Sequence, residues 1–132
     1  MRLLLERLIN RDPARWIVGV FDADASCEGE LFDAVVNIFN HEDVDAVQCG
    51  VRILNTKTKW LPRYQDVEFL SFAGIMQPVR SALSGGVMLG GNAQFVRLES
   101  LINAQTDNLE SWDPRALTED LELGLRLHCR GA

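Results

Sequence analysis

An uncharged apolar run that ends in two acids constrains this chain more than any other feature. The run from Ile17 to Phe21 is rich in β-branched side chains, and Asp22 and Asp24 follow it directly. This composition is typical of a strand that is buried on both faces of a parallel sheet. If the backbone stays extended, the two acids leave the same face, roughly 6 to 7 Å apart at their Cα atoms. In open α/β sheets the ligand crevice lies beyond the carboxyl ends of the strands, so the acid pair is expected to border it.

Paired carboxylates at such a strand end predict a site for a divalent metal. Hard oxygen ligands select Mg²⁺ or Mn²⁺, and these ions commonly add waters and the phosphates of a substrate. The alternative is a structural role, because aspartate after a strand also forms turns and caps helices. Asp22 and Asp24 are therefore candidate metal ligands, with a turn as the competing interpretation.

The composition indicates one soluble globular domain over residues 1–132. Hydrophobic residues make up 47% of the chain and charged residues 24%, and the formal net charge is -6. Such an acidic chain has no basic field with which to bind nucleic acid. No apolar run approaches the roughly 20 residues of a membrane span. Three widely spaced cysteines fit neither a disulfide framework nor a zinc site, which favours a reducing, cytosolic environment.

Hydrophobic periodicity predicts alternating helices and strands. Helices are expected over 1–10, 28–40, 65–76 and 94–102 and after Thr118, strands over 17–21, 45–53 and 84–92, and a polar loop over 55–63. The aromatic stripe of the 65–76 helix is expected to face the core, and Gln77-Pro78 is expected to end that helix. A helix that leads straight into a buried strand is half of a βαβ unit, so we expect the natural domain to begin upstream.

Two further segments carry candidate functional residues. The stretch Gly90-Gly91-Asn92 follows a second glycine pair, and glycine pairs let a backbone approach another group closely. Thr118 is the expected N-cap of the last helix, whose first turn holds Glu119 and Asp120. The alternative for these acids is that they complement the helix dipole.

Together these motifs resemble the family 2 glycosyltransferases, processive members included. The resemblance rests on the strand that ends in Asp22-Ala-Asp24, on Gly90-Gly91-Asn92 before an aromatic residue, and on Trp112 leading to Thr118-Glu119-Asp120. It covers nearly the whole chain. It implies an α/β fold of the GT-A (Rossmann-like) type, a mostly parallel sheet flanked by helices that here lacks the first strands.

The resemblance also implies a role for each site residue. Asp22 and Asp24 would hold Mn²⁺ or Mg²⁺ against the diphosphate of a nucleotide-sugar donor. Asp120 would be the catalytic base, with Glu119 beside it as a second catalytic candidate. The acceptor, a glycan or lipid hydroxyl, would lie near Gly91, Asn92 and Trp112.

The implied activity is inverting sugar transfer, as in polysaccharide biosynthesis, at the cytosolic face of a membrane in the full-length protein. The family's first strand and its Gln-x-x-Arg-Trp motif are absent from the 132 residues, so these are expected to be inactive alone. A nucleotidyltransferase acting on a sugar phosphate and a non-catalytic binding module remain the alternatives.

Overall fold

A three-stranded antiparallel sheet organises the part of the chain that the structure describes. The computed structural model describes residues 12–57, 59–86, 88–106 and 110–131. Strands β1 (Ile17–Val20), β2 (Ala46–Gln48) and β3 (Gln94–Arg97) lie in the order β1-β3-β2. Since β3 is antiparallel to both neighbours, β1 and β2 run in the same direction on either side of it.

The mixed α/β class is confirmed, but the predicted mostly parallel sheet is wrong for these strands. Both pairings are antiparallel, with Val18 opposite Val96 and Ala46 opposite that same residue. A buried apolar run indicates that a strand is covered, and it does not fix the direction of its neighbour. The sheet is antiparallel because β3 lies between β1 and β2, and the sequence pattern predicts the β3 segment as part of a helix.

The segment 94–97 shows why the pattern failed. Phe95, Leu98 and Ile102 have helical spacing, yet the helix begins only at Leu98. Strand partners on both sides of Gln94–Arg97 override that local period, as tertiary context commonly does for short segments. The predicted strand over 84–92 is likewise wrong: the described residues there form no strand.

The helices fall mainly where hydrophobic periodicity places them. They are α1 (Glu30–His41), α2 (Trp60–Ser71), α3 (Gln77–Ser84), α4 (Leu98–Asn103) and α5 (Glu119–Cys129), with a 3₁₀ turn at Pro13–Arg15. Helix α1 and the start of α5 after Thr118 confirm the predictions. The predicted helix over 1–10 lies outside the described residues.

Helices α2 and α3 form one continuous rod through a π-helical turn, Phe72–Met76. The rod begins at Trp60, inside the predicted loop, and Gln77-Pro78 does not end it. In the π turn the backbone N–H of Gln77 donates to the Phe72 carbonyl, an i to i+5 bond, and Pro78, which has no N–H, follows directly at the start of α3. The expected core stripe is also wrong in part, because Phe69 and Met76 are exposed.

Two apolar clusters cover the two faces of the sheet. On one face Phe95 packs with Val35 and Phe39 of α1. The other cluster joins residues of β1 and β3 to α4 and α5; it contains Val18, Leu89, Val96, Leu98, Leu101, Ala104, Leu123 and Leu127. Neighbouring residues of β3 therefore point to opposite layers, as the pleat requires. None of the helices in the described part of the chain has the length and hydropathy of a membrane span.

Candidate active site

Most of the predicted site residues lie at one end of the sheet. Strands β1 and β2 end there at Val20 and Gln48, and β3 begins there at Gln94, which is paired with both. Three connections therefore converge: the turn after β1, the glycine loop before β3, and the start of α5. The predicted crevice beyond the carboxyl ends of the strands corresponds to this end, although the sheet is antiparallel.

Asp22 and Asp24 lie in a turn and not on an extended backbone. The Ala25 amide donates to the Asp22 carbonyl at 3.0 Å, which closes the turn directly after β1. The extended geometry expected for the pair is therefore wrong, although both side chains are exposed. The Asp22 amide also donates to Oδ1 of Asn92 at 3.3 Å, so this turn is tied to the glycine loop.

The glycine loop has an unusual backbone on both sides of Asn92. Gly91 has φ +78° and Ala93 has φ +56°, and residues other than glycine rarely adopt this backbone region. Gln48 holds the loop from β2, because its Nε2 donates to the Asn92 carbonyl at 2.8 Å and its Oε1 accepts from the Gly90 amide at 2.8 Å.

Asp120 lies beneath this loop in the first turn of α5. Its Oδ1 accepts from Nε1 of Trp112 at 2.9 Å and from Nε2 of Gln94 at 2.5 Å. Its Oδ2 faces Gly91, where an added Cβ would lie 2.9 Å away. The structure thus brings Asp120, Gly91 and Trp112 together, and Asn92 links them to Asp22.

Glu119 is separate from this group. It is exposed at the first position of α5, and its carboxylate forms no hydrogen bond or ion pair with the residues that the structure describes. Thr118 occupies the N-cap position as predicted, but its side chain makes no capping hydrogen bond. The helix start therefore presents one acid to the loop and one to solvent.

A small cavity adjoins the glycine loop at Gly90 and Asn92. Its apolar walls come from the segment after β2, from α2 and from the π turn: Cys49, Val51, Phe69, Phe72 and Ala73. Burial raises the pKa of the Cys49 thiol. Arg52 and the buried Asp66 fix this wall through a paired hydrogen bond, with Nε to Oδ1 at 2.9 Å and Nη2 to Oδ2 at 2.8 Å.

Asp22 and Asp24 have the donor chemistry that a hard divalent cation requires. Both carboxylates are exposed, and neither is paired with a cation among the described residues. No group of three or more acidic, histidine or cysteine side chains that could hold a metal occurs in that part of the chain. Two carboxylates still fit Mg²⁺ or Mn²⁺, which are usually bound by one or two carboxylates together with waters and phosphates.

Comparison with known proteins decides the family. The family model described as "Glycosyltransferase like family 2" matches residues 4–132. The chain belongs to this glycosyltransferase family. The motif-based resemblance is therefore confirmed, and the family match favours sugar transfer over the nucleotidyltransferase alternative.

Individual relatives of this family 2 chain carry the names of sugar transferases. The beta-monoglucosyldiacylglycerol synthase of Nostoc sp. (strain PCC 7120) is 38% identical over 112 residues, which are 85% of this chain and 23% of the relative. The enzyme of the same name from Synechocystis sp. (strain PCC 6803) is 35% identical over 113 residues, 85% of this chain and 22% of its own. A probable glucomannan 4-beta-mannosyltransferase of Arabidopsis thaliana is 27% identical over 116 residues, 87% of this chain and 21% of its own.

The family 2 chain thus spans about a quarter of the length of these relatives, 23% in the Nostoc enzyme. No solved structure matches it significantly.

Sequence reasoning missed two residues of this site, Gln48 and Gln94. Both are strand residues opposite each other, and Gln94 is fully buried between β1 and β2. A polar residue next to Phe95 and Val96 in an apolar segment was the available signal, since buried amides are usually hydrogen-bonded to something specific. The helical period of the segment that contains Gln94 conceals this signal.

Proposed function

We propose that this family 2 domain takes part in the inverting transfer of a sugar from a nucleotide-sugar donor to a hydroxyl of a lipid or glycan acceptor. Asp120 is the catalytic base in this proposal. One observation carries it: Oδ1 of Asp120 is held by Trp112 and Gln94, while Oδ2 faces Gly91 at the predicted acceptor side. A carboxylate fixed on one oxygen and available on the other suits proton removal from a bound hydroxyl.

In this proposal the reaction is a single direct displacement. The acceptor hydroxyl oxygen attacks the anomeric carbon from the face opposite the diphosphate, and its proton passes to Oδ2 of Asp120. The bond between the anomeric carbon and the diphosphate oxygen breaks, and its electron pair leaves with the diphosphate. One direct displacement inverts the configuration at that carbon.

The turn after β1 would hold the leaving group. Asp22 and Asp24 would bind Mn²⁺ or Mg²⁺, which neutralises charge on the diphosphate when it is bound. Asn92 contacts the Asp22 amide at 3.3 Å and neighbours Gly91, so a single loop joins the donor side to the base. This connection would keep donor and acceptor at a fixed separation, which favours the displacement.

The cavity beside Gly90 and Asn92 favours a lipid as the acceptor. Aromatic and aliphatic side chains of α2 and the π turn form much of its wall, and such a wall suits an apolar chain better than a glycan. Two of the relatives carry the name beta-monoglucosyldiacylglycerol synthase, which is consistent with this choice. A glycan acceptor, as the name of the Arabidopsis relative suggests, is the second candidate.

The test is Asp120→Asn in the full-length protein. Release of nucleoside diphosphate would be measured with a panel of nucleotide sugars, using diacylglycerol in micelles or mannan oligosaccharides as acceptors. We expect turnover to fall at least about a hundredfold, as for loss of a general base, with donor affinity unchanged.

Glu119→Gln is the matched control, since this neighbouring acid also lies at the start of α5 but its carboxylate forms no hydrogen bond or ion pair with the described residues. Its turnover should remain near the wild-type value. Near wild-type turnover in Asp120→Asn would leave Asp120 as a residue that stabilises the helix. Absence of turnover in the unmodified protein with every donor and acceptor would favour the binding-module alternative.

A further inference from the structure

We propose that Gln94 is the positioning residue of the catalytic base: it fixes Asp120 so that only Oδ2 is free to take the acceptor proton. This inference rests on the proposed function and adds a residue that no motif of the chain identifies. Gln94 is 0% exposed and belongs to the central strand, with β1 and β2 bonded on its two sides. Its side chain is therefore confined to one face of the sheet, beneath the start of α5.

The side-chain amide of Gln94 contacts both Asp120 and the glycine loop. Its Nε2 donates to Oδ1 of Asp120 at 2.5 Å and lies 3.3 Å from the Gly91 carbonyl. Nε1 of Trp112 donates to the same Oδ1 at 2.9 Å. Two N–H donors on Oδ1 fix the orientation of the carboxylate group. Oδ2 therefore points to the space where Gly91 has no side chain.

The other end of the same amide is informative because it is unsatisfied. Oε1 of Gln94 is buried and has no hydrogen-bond partner among the described residues. Rotating the amide would place this oxygen against the carboxylate of Asp120, which is unfavourable, so the carboxylate itself fixes the orientation. A buried acceptor without a partner disfavours folding, and an apolar side chain of similar volume would fill the space without it. Packing alone does not explain a glutamine here, whereas holding Asp120 does.

The experiment is a double-mutant cycle between Gln94 and Asp120 in the full-length protein. Gln94→Met keeps an unbranched side chain of similar size but has no N–H. We expect kcat to fall about tenfold or more while KM for the donor stays within twofold of wild type. In the Asp120→Asn background, Gln94→Met should cause no further loss of kcat, because Gln94 acts only through the carboxylate.

Gln94→Glu is the second variant, in case the methionine protein does not fold. It preserves the shape of the side chain but places an oxygen, instead of an N–H, beside Oδ1, and we expect at least the same loss of kcat. Circular dichroism and thermal unfolding of both variants would verify the fold.

Ser100→Ala is the control, since Ser100 of α4 is also buried and also donates to a carboxylate, that of Asp45, while the donors to Asp120 among the described residues are Gln94 and Trp112. Its kcat should be unchanged in both backgrounds. Wild-type kcat in Gln94→Met, or an equal loss with and without Asp120, would overturn the positioning role while leaving Asp120 as the base. If Asp120→Asn itself turns over normally, the proposed function fails first and the role of Gln94 fails with it.

Discussion

Gly91 leaves no room for a side chain above Asp120. A Cβ atom at Gly91 would lie 2.9 Å from Oδ2 of Asp120, closer than real Cβ atoms come to such an oxygen. The same glycine has φ +78°. Both the space and the backbone conformation at this position therefore disfavour other residues, and a side chain here would crowd the second oxygen of the carboxylate.

Gly91→Ala is expected to damage turnover more than stability. The positive φ should cost about 1 kcal/mol of unfolding free energy. The methyl group should also push the carboxylate of Asp120 aside, and displacement of a catalytic group by about 1 Å can cost about a hundredfold in rate. Chemical denaturation and kcat of the full-length variant would measure the two effects.

Gly85→Ala separates these effects. Gly85 has φ +69°, yet an added Cβ there would meet no atom within 4 Å. The control should lose similar stability and keep its turnover. Equal turnover in Gly91→Ala and Gly85→Ala would show that the space above Asp120 is not needed.

Sequence reasoning predicted which candidate residues lie together better than it predicted the framework. The structure places the predicted site residues Asp22, Gly91, Asn92, Trp112 and Asp120 at one end of the sheet, and their order along the chain is what the family resemblance rests on. The direction of each strand relative to its neighbour depends on which segment pairs between β1 and β2. This pairing joins residues far apart in sequence, so local periodicity does not reveal it. The helical spacing of Phe95, Leu98 and Ile102 is an accident of a strand that runs directly into a helix.

The π-helical turn is a second feature that local patterns do not encode. Gln77-Pro78 is a sound stop signal for an ordinary helix, and here i to i+5 bonding in the π turn allows the helix to continue. Exposure of Phe69 and Met76 could not be predicted either, because helical periodicity identifies an apolar stripe but not what covers it.

The acids of the β1 turn are expected to act in metal binding and not in folding. Asp22→Asn or Asp24→Asn should weaken Mn²⁺-dependent binding of a nucleoside diphosphate by more than the ~10–100-fold typical of an outer-shell partner. Both side chains are exposed, so the unfolding free energy should barely change.

Isothermal titration calorimetry of the full-length protein would test this. Asp43→Asn is the control, because Asp43 is an exposed acid that precedes β2, at the opposite end of the sheet. Unaltered Mn²⁺-dependent binding in both site variants would refute the metal assignment, leaving the turn after β1 as their role.

The Arg52–Asp66 pair predicts an acid-sensitive contribution to stability. The Arg52 guanidinium and, after it, the Ile53 amide hold the pKa of Asp66 at about 2. An unfolded aspartate has a pKa of about 3.9. Since the folded pKa is the lower one, the contribution is complete above about pH 4 and is lost as the pH falls toward 2.

Urea unfolding between pH 7 and pH 2.5 would measure that loss. The difference in unfolding free energy between wild type and Asp66→Asn should shrink over the acid part of this range. At neutral pH, the same Asp66→Asn substitution should cost less unfolding free energy in a protein that already carries Arg52→Met. The arginine side chain is 62% exposed, which limits the size of the effect through solvent screening. A difference that stays constant with pH would exclude the pair as its cause.

Arg126 is expected to hold the loop that carries Trp112. Its guanidinium donates to the Ser111 carbonyl at 3.0 Å, to the Ala104 carbonyl, and to Oε1 of Glu122 at 2.9 Å. Ser111 and Ala104 are buried, so Arg126→Met leaves their carbonyls without a donor, and we expect a loss of about 2–4 kcal/mol in unfolding free energy.

Arg126→Lys should recover only a small part of this loss, because an ammonium group cannot serve three acceptors in the geometry of a planar fork. Arg115→Met is the control: its partner Asp113 lies in the same loop, but the arginine side chain is 73% exposed, and the loss should be smaller.

A loosened loop also withdraws the indole N–H of Trp112 from Asp120, so kcat of Arg126→Met should fall together with stability, as measured on the folded protein below its unfolding temperature. Full turnover in a folded but destabilised Arg126→Met would mean that the indole contact contributes nothing to the base.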